Sequence, residues 1–283
     1  MSSESAFPGA PAAAPPIDRS LWANLTVMWR VIFALIIRDS RTRYGHSDLG
    51  YLWALINPLL QTTVLVLVFT ALGRRVPLNA SLPVFFTMGI LPYQFWHSSV
   101  SRGATAAGSN GPLLSYPQVK VLDVVISRVL LDFSTMILVF LIFIVALHYV
   151  TGEPFSSWFG DPLQMVLAFS SLIYFAFGSA VFSSGLARVF PAWHEVFGYL
   201  SRPLWFTSGI FFTLQGLSKG FQKWALINPV AHMMEWIKSA MLPSFHSDVY
   251  RPMFILTTAT VLLFIGLTIE WLWRLTGHPD GVE

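Results

Sequence analysis

Positive charge gathers directly before a long apolar segment in the first part of the chain. The basic residues of this stretch are Arg38, Arg41, Arg43 and His46. An arginine can hold a phosphate or carboxylate through two parallel hydrogen bonds, and a basic rim at a membrane surface concentrates anions. The same charge would also keep this part of a membrane protein in the cytoplasm. The sequence therefore leaves two roles open, recruitment of an anionic ligand and orientation of the chain.

The sequence contains no motif for ATP hydrolysis or metal catalysis. It has neither a GxxxxGK[ST] phosphate-binding loop nor an HExxH zinc motif, and it has no cysteine. His232 and Glu235 are three residues apart, but two ligands make a poor metal site, and hydrogen bonding at the outer surface explains this pair better. We expect no catalytic residue, no metal and no cofactor in this chain.

Ionisable residues are rare within the apolar segments. Asp132 and Glu270 are the clear carboxylates there, and Arg128 and Arg274 lie four residues from them. A pair with this spacing neutralises its own charge on one face of a helix. An ion-coupled transporter would need ionisable groups near the middle of the membrane, so the pattern disfavours that class. It does not exclude it, because carbonyl and hydroxyl groups can also hold Na⁺.

Composition identifies the chain as an integral α-helical membrane protein. Of its 283 residues, 54% are hydrophobic and only 11% are charged, and a net charge of +3 is too small to suggest binding to nucleic acid. Six segments approach or exceed the roughly 20 apolar residues that cross a bilayer. These predicted transmembrane helices are residues 51–72, 82–100, 126–148, 163–187, 197–215 and 253–273.

Two further apolar segments do not fit a simple crossing. Residues 20–43 contain Arg30 near their centre, which would cost about 2.5–3.5 kcal/mol at the middle of the bilayer. We predict an amphipathic helix in the interface there, with a seventh crossing as the alternative. Pro229 divides residues 216–252 into pieces too short to span, which predicts short re-entrant helices on the periplasmic side. Small residues at 178–185 predict close approach of another helix.

The basic residues also orient the predicted helices. With the N-terminus inside, eleven of them fall on the cytoplasmic side and six outside, so both termini are expected in the cytoplasm. The predicted parts are a disordered N-terminal tail without signal-peptide features, a cytoplasmic interface helix with a basic loop, a transmembrane domain and a cytoplasmic C-terminal tail. They cover residues 1–18, 19–50, 51–275 and 276–283.

Several motifs closely resemble those of ABC-2 type permeases that export polysaccharides. The matching stretches read RDSRTRYGHSDLGYLW from residue 38, LPVFFTMGILP from residue 82, NGPLLSYPQVK from residue 110 and NPVAH from residue 228. The likeness runs over residues 38–275 and looks most like the capsular polysaccharide branch of group 2 systems. The proline-rich start and residues 46–48 depart from the pattern, which leaves the identity of the glycan open.

This resemblance implies a homodimer in the bacterial inner membrane, driven by two copies of a separate ATP-binding subunit that holds ATP and Mg. The substrate would be a lipid-linked acidic glycan, delivered to periplasmic and outer-membrane export proteins. The loop at 101–125 would face the ATPase, although a lipid-facing surface helix is the alternative there. Its predicted coupling residues are Asn110, Leu113, Leu114, Tyr116 and Pro117. The predicted periplasmic exit residues are Asn228, Pro229, His232 and Glu235.

Two more sets of residues are predicted from the chemistry of such a substrate. The recruitment set adds two interfacial aromatics to the basic residues and comprises Arg38, Arg41, Arg43, His46, Tyr51 and Trp53. The path set supplies hydroxyl, amide and aromatic groups for sugars and comprises Gln61, Thr62, Tyr93, Trp96, Trp205 and Ser208. Core packing explains any single member of the path set better, and an interfacial aromatic belt is the commoner explanation for Tyr51 and Trp53.

Other functions remain open at this point. The same type of permease could export O-antigen or teichoic acid, and an ion-coupled secondary transporter is a less favoured alternative. A membrane sugar transferase would need clustered acidic residues for metal and phosphate, and the sequence shows no such cluster.

Overall fold

The computed structural model describes residues 21–42, 50–73, 81–106, 108, 119–152 and 154–276. Over these ranges the protein consists of helices and connecting turns, without a strand. The α-helices are α1 (Leu21–Thr42), α2 (Gly50–Ala71), α3 (Leu82–Ala104), α4 (Val121–Thr151), α5 (Pro162–Val189), α6 (Trp193–Thr207), α7 (Lys219–Ala225), α8 (Pro229–Met241) and α9 (Pro252–Leu275). Short 3-10 helices lie at Phe155–Trp158 and Leu214–Gly216. The predicted tail at 1–18 lies outside the described residues.

Three of these helices are long and apolar enough to cross a membrane. They are α4 over Val121–Val150, α5 and α9, and α2 contains a shorter apolar segment at Leu55–Ala71. Helices α2, α3, α4, α5 and α9 begin and end within about five residues of the predicted bounds. The ends of α3 and α4 extend into the predicted loop at 101–125.

The prediction of one continuous helix over residues 197–215 is wrong. Helix α6 ends at Thr207 and has only 15 residues, which makes it about 22 Å long. The chain then turns through Gly209, whose φ of +73° suits a residue without a side chain. The buried Lys238 ammonium approaches the carbonyl oxygens of Ile210 at 3.2 Å and Phe212 at 3.3 Å. These contacts hold the turn, so the apolar sequence after Thr207 does not continue as a helix.

Helix α5 packs closely against α9 and α3 through small residues. A Cβ atom on Gly178 would lie 2.5 Å from the carbonyl oxygen of Ala259, and one on Gly266 would lie 2.6 Å from the amide nitrogen of Phe182. Both distances are shorter than real Cβ contacts, so only glycine permits this separation of the backbones. The prediction of close helix approach at 178–185 is confirmed.

Helix α1 agrees with the helix predicted over residues 20–43. Ile32 and Leu35 are buried in the protein, whereas Trp29 and Phe33 are exposed. Arg30 is also exposed. The helix thus has one face against the protein and another that is free to contact lipid, while its position in the membrane interface stays a prediction.

Candidate functional site: a polar and aromatic cavity beside a buried charge cluster

A cavity of about 630 Å³ lies between helices α2, α3, α4 and α6. Helix α3 provides a polar row in which each residue lies three or four positions from at least one other member. This row consists of Gln94, His97, Ser98, Ser101 and Arg102. Residues with this spacing share one helix face, and at 1.5 Å per residue they extend along about 12 Å of the cavity.

Aromatic rings form another part of the cavity wall. The rings of Tyr93 and Trp205 meet edge to face with centroids 4.7 Å apart, a favourable geometry for an aromatic pair. The Tyr93 hydroxyl donates a hydrogen bond of 2.7 Å to the carbonyl oxygen of Ser201. His97 Nε2 and Ser201 Oγ are also within hydrogen-bond distance, at 3.2 Å. These contacts fasten α6 to α3 and fix the shape of the cavity.

A cluster of charged residues lies at one end of the cavity. Arg102 Nη1 donates to Asp132 Oδ1 at 2.6 Å, and its Nη2 lies 3.5 Å from Asp39 Oδ2. Ser98 Oγ donates to the other Asp132 oxygen at 3.2 Å. Arg128 Nε lies 3.6 Å from Asp39 Oδ2. The cluster therefore joins α1, α3 and α4, and it places the Arg102–Asp132 pair in the cavity lining.

The two predicted pairs of neighbouring charges differ in the structure. Arg274 and Glu270 form the expected contact within one helix, at 2.8 Å, but Glu270 also pairs with Arg188 of α5, whose Nε lies 3.4 Å from its other oxygen. Asp132, however, binds Arg102 of another helix, so the prediction of purely local neutralisation by Arg128 is wrong. The reason is that Arg128 points to the end of α3, where its Nη1 donates to Thr105 Oγ1 at 3.2 Å and also to the carbonyl oxygen of Arg102.

The predicted exit residues lie at the beginning of α8. Asn228 caps this helix by accepting a hydrogen bond of 2.9 Å from the Val230 amide. His232 Nδ1 accepts a hydrogen bond from the Arg251 amide at 3.0 Å, so its Nε2 carries the proton and donates to the Leu226 carbonyl at 2.9 Å. Burial and the nearby Arg251 charge lower the pKa of His232, which keeps the ring neutral.

Glu235 and Lys238 both form hydrogen bonds to the backbone of the segment that follows α6. The Glu235 carboxylate accepts hydrogen bonds from the Leu214 amide at 2.9 Å and the Gln215 amide at 3.2 Å. The Lys238 ammonium binds carbonyl oxygens of the same turn and lies 3.7 Å from the ring centroid of Phe85. Within the described ranges, His, Asp and Glu side chains nowhere form a group of three that could hold a metal. His232 and Glu235 thus serve as hydrogen-bonding residues here.

Comparison with known proteins identifies the family. The sequence profile of ABC-2 type transporters matches residues 30–242, well over half of the chain. The chain belongs to the ABC-2 type transporter family.

Relatives within this family match over most of their length. The polysialic acid transport protein KpsM of Escherichia coli is 31% identical over 236 residues, which cover 83% of this chain and 90% of the relative. The capsule polysaccharide export inner-membrane protein CtrC of Neisseria meningitidis serogroup B is 27% identical, over 88% of this chain and 93% of the relative. The corresponding protein BexB of Haemophilus influenzae is 26% identical, over 87% and 92%.

In this ABC-2 type transporter subunit, the predicted path residues fall into two groups. Gln61, Tyr93 and Trp205 lie together in the cavity lining. The other three are buried elsewhere. Trp96 Nε1 donates to Ser179 Oγ at 3.3 Å within the core, and Ser208 Oγ accepts from Asn228 Nδ2 at 3.0 Å. Thr62 is fully buried on α2.

The predicted recruitment and coupling residues lie largely outside the described part of the transporter. Arg38 forms an ion pair of 2.8 Å with Asp39, and Trp53 is 52% exposed. Arg41 and Tyr51 lie in α1 and α2, but the structure does not describe their side chains. The residues beyond the described ranges are Arg43, His46, Asn110, Leu113, Leu114, Tyr116 and Pro117.

Sequence reasoning did not select Asp39, Arg102 or the other members of the polar row of α3 as site residues. Asp39 and Arg102 meet only because α1 and α3 pack against α4, so their separation of 63 positions gave no signal. Gln94 lies in an apolar helix where a single amide is easily overlooked. Its position at the start of the polar row of α3, three residues before His97, was a signal that could have found it.

Proposed function

We propose that this protein is the transmembrane permease subunit of an ATP-driven exporter that moves lipid-linked acidic capsular polysaccharide across the bacterial inner membrane. The observation that carries the proposal is the near full-length similarity to KpsM, CtrC and BexB, whose names refer to polysialic acid transport and capsule polysaccharide export. The permease itself is non-catalytic, and a partner subunit binds ATP and Mg.

The chemistry of the cavity supports a sugar substrate. Tyr93 and Trp205 offer aromatic rings, on which the apolar faces of sugars stack, and Gln61 and Gln94 offer amides for hydroxyl groups. A volume of about 630 Å³ falls within the usual range for a small-molecule site. The charges of Arg102 and Asp132 compensate each other, whereas the exposed Arg202 adds a positive charge to the cavity lining.

The assembly proposed here is a homodimer with two ATP-binding subunits below it. Each subunit would have six crossings, cytoplasmic termini, an interfacial α1 and re-entrant helices α7 and α8. Large apolar side chains are exposed on α2 and α6, two of the helices that border the cavity. Examples are Leu60, Leu67, Leu200 and Phe206. A second copy against these helices would enclose the glycan path between the subunits.

Recruitment of the lipid-linked end is assigned to the basic residues near the start of α2. Anionic glycans and phospholipid anchors would concentrate at Arg41 and Arg43, whereas Arg38 already shares its charge with Asp39. Replacing Arg41 and Arg43 together with Gln tests this role. If these arginines recruit the substrate, the variant should insert correctly but export less glycan. Unchanged export would mean that the two arginines only orient the chain in the membrane.

Purification of the tagged chain from its native cell in mild detergent tests the proposed function. We expect a stoichiometric ATP-binding subunit, which is lost when Leu113, Leu114 and Tyr116 are replaced with Ser. Deletion of the gene should leave completed glycan inside the cell. A chain that purifies alone, in a cell without an ATPase partner, would favour ion coupling instead. If O-antigen or teichoic acid accumulates instead, the protein is still a permease but its substrate is that glycan.

A further inference from the structure

The side chain of Gln94 has an unusual environment for a buried amide. Its Oε1 and Nε2 atoms are both buried, and neither has a hydrogen-bond partner among the residues that the structure describes. Gln94 nevertheless lines the cavity between α2, α3, α4 and α6. A buried polar group without a partner lowers the stability of the fold. Such a group in a native protein calls for an explanation, and a bound ligand is one.

The polar neighbours of Gln94 on α3 are already engaged. The Tyr93 hydroxyl donates to the Ser201 carbonyl, His97 contacts the Ser201 hydroxyl, and Ser98 donates to Asp132. Each of these contacts joins α3 to another helix and has a structural purpose. Gln94 differs because its amide, with two donors and an acceptor, forms no hydrogen bond with any residue that the structure describes.

We propose that Gln94 binds hydroxyl groups of the glycan in this cavity. The inference rests on the proposed function and adds a substrate-binding residue to it. A sugar hydroxyl both donates and accepts, so an amide can satisfy two neighbouring hydroxyls at once. The two amide atoms have almost no accessible surface in this structure, so a small displacement of a neighbouring helix must expose them before a sugar hydroxyl can bind.

A neutral amide also suits a polymer that must keep moving. Hydrogen bonds between neutral groups are roughly half as strong as those to a charged group. Gln94 therefore holds a sugar without arresting it, while the rings of Tyr93 and Trp205 border the same space. The expected ligand at this position is an uncharged, hydroxyl-bearing part of the repeating unit, and the acidic group of the glycan is not recognised here.

The substitution Gln94→Met separates binding from folding because the two roles predict opposite effects. Methionine has a similar length and no hydrogen-bonding amide. If Gln94 binds sugar, the melting temperature of the purified complex with its ATPase should stay the same or rise, while surface glycan in a complemented deletion strain falls at least fivefold. Binding of a fluorescently labelled oligosaccharide, cut from the strain's own capsule, should weaken by a similar factor.

Ser99 provides a matched control on the same helix. Its hydroxyl is also buried without a partner among the described residues, but Ser99 is not part of the cavity lining. Ser99→Ala should therefore leave export and oligosaccharide binding unchanged.

Three results would contradict the proposal in different ways. Wild-type export from Gln94→Met would show that the amide does not bind the substrate. A melting temperature that falls in parallel with export would make Gln94 a structural residue. Failure of the wild-type gene to restore export in the deletion strain would refute the proposed function itself. This control is measured before the variants, so the two kinds of failure can be distinguished.

Discussion

Removal of Arg102 alone should destabilise the protein much more than removal of Arg102 together with Asp132. The two side chains are joined by a contact of 2.6 Å, and the Asp132 side chain is only 2% exposed. Arg102→Met leaves this carboxylate buried without its strongest observed partner. Breaking a buried ion pair from one side costs about 3–5 kcal/mol. We expect a loss of that size in the free energy of unfolding.

The double variant Arg102→Met/Asp132→Leu should recover most of this loss. Replacing both members of a buried pair with apolar residues is often neutral or stabilising. Asp39 still keeps Arg38 at 2.8 Å and Arg128 at 3.6 Å after Arg102 is removed, so its charge remains compensated. The double variant should therefore lie within about 1 kcal/mol of the wild type, so it should recover about 2–4 kcal/mol of the loss seen in Arg102→Met. This recovery reflects the coupling between the two residues.

Unfolding of the detergent-solubilised wild type, both single variants and the double variant measures this coupling. Arg274→Met is the control, since Arg274 is 44% exposed in its pair with Glu270 and should cost less than about 1 kcal/mol. The reasoning would be refuted by a double variant as unstable as Arg102→Met. That result would mean that the stability comes from the packing of the arginine side chain instead of charge compensation.

Three further predictions concern other parts of the fold. Burial lowers the pKa of His232 below its ordinary value of 6.5. As the pH falls, the unfolded chain therefore binds a proton before the folded protein does, so the melting temperature should decrease below about pH 6.5. His232→Gln should make the melting temperature less dependent on pH. Gly178→Leu should abolish recovery of folded protein, since the added Cβ would lie 2.5 Å from a carbonyl oxygen, whereas Gly220→Leu has open space and should purify normally. Lys238→Met removes hydrogen bonds to backbone carbonyls and should lower the free energy of unfolding by about 1.5–3 kcal/mol. A melting temperature equal to that of the wild type would show that other contacts hold the turn.

Helix positions followed from the sequence where a single local signal decides the structure. The apolar runs that became α4, α5 and α9 are long and uninterrupted, and Pro229 marked the start of α8. The sequence could not predict the end of α6, since residues after Thr207 stay apolar. There the turn depends on Lys238, which is 26 to 29 positions away in the chain. A contact over that distance leaves no periodic pattern.

The sequence predicted the types of residue that line the candidate site, but it did not predict which residues contact each other there. Tyr93, Trp205 and Gln61 were expected to face sugars because of their aromatic and amide groups, and they do lie around one cavity. Trp96 has the same chemistry, yet it packs parallel to Phe175 at 5.9 Å in the core. Trp96 lies on α3 and Trp205 on α6, and which of the two reaches the cavity depends on the packing of the whole bundle.

The charge cluster has a mechanical consequence for the cavity. Arg128 donates a hydrogen bond to the last turn of α3, and Asp39 of α1 forms ion pairs with Arg102 and Arg128. One wall of the cavity is therefore a rigid body of three helices, with no hinge between the end of α3 and the polar row that begins at Gln94. Helix α6 is itself fastened to α3 through Ser201, so a change in the width of the cavity would come from displacement of α2. During each export cycle, every subunit would act with one fixed wall and one moving wall.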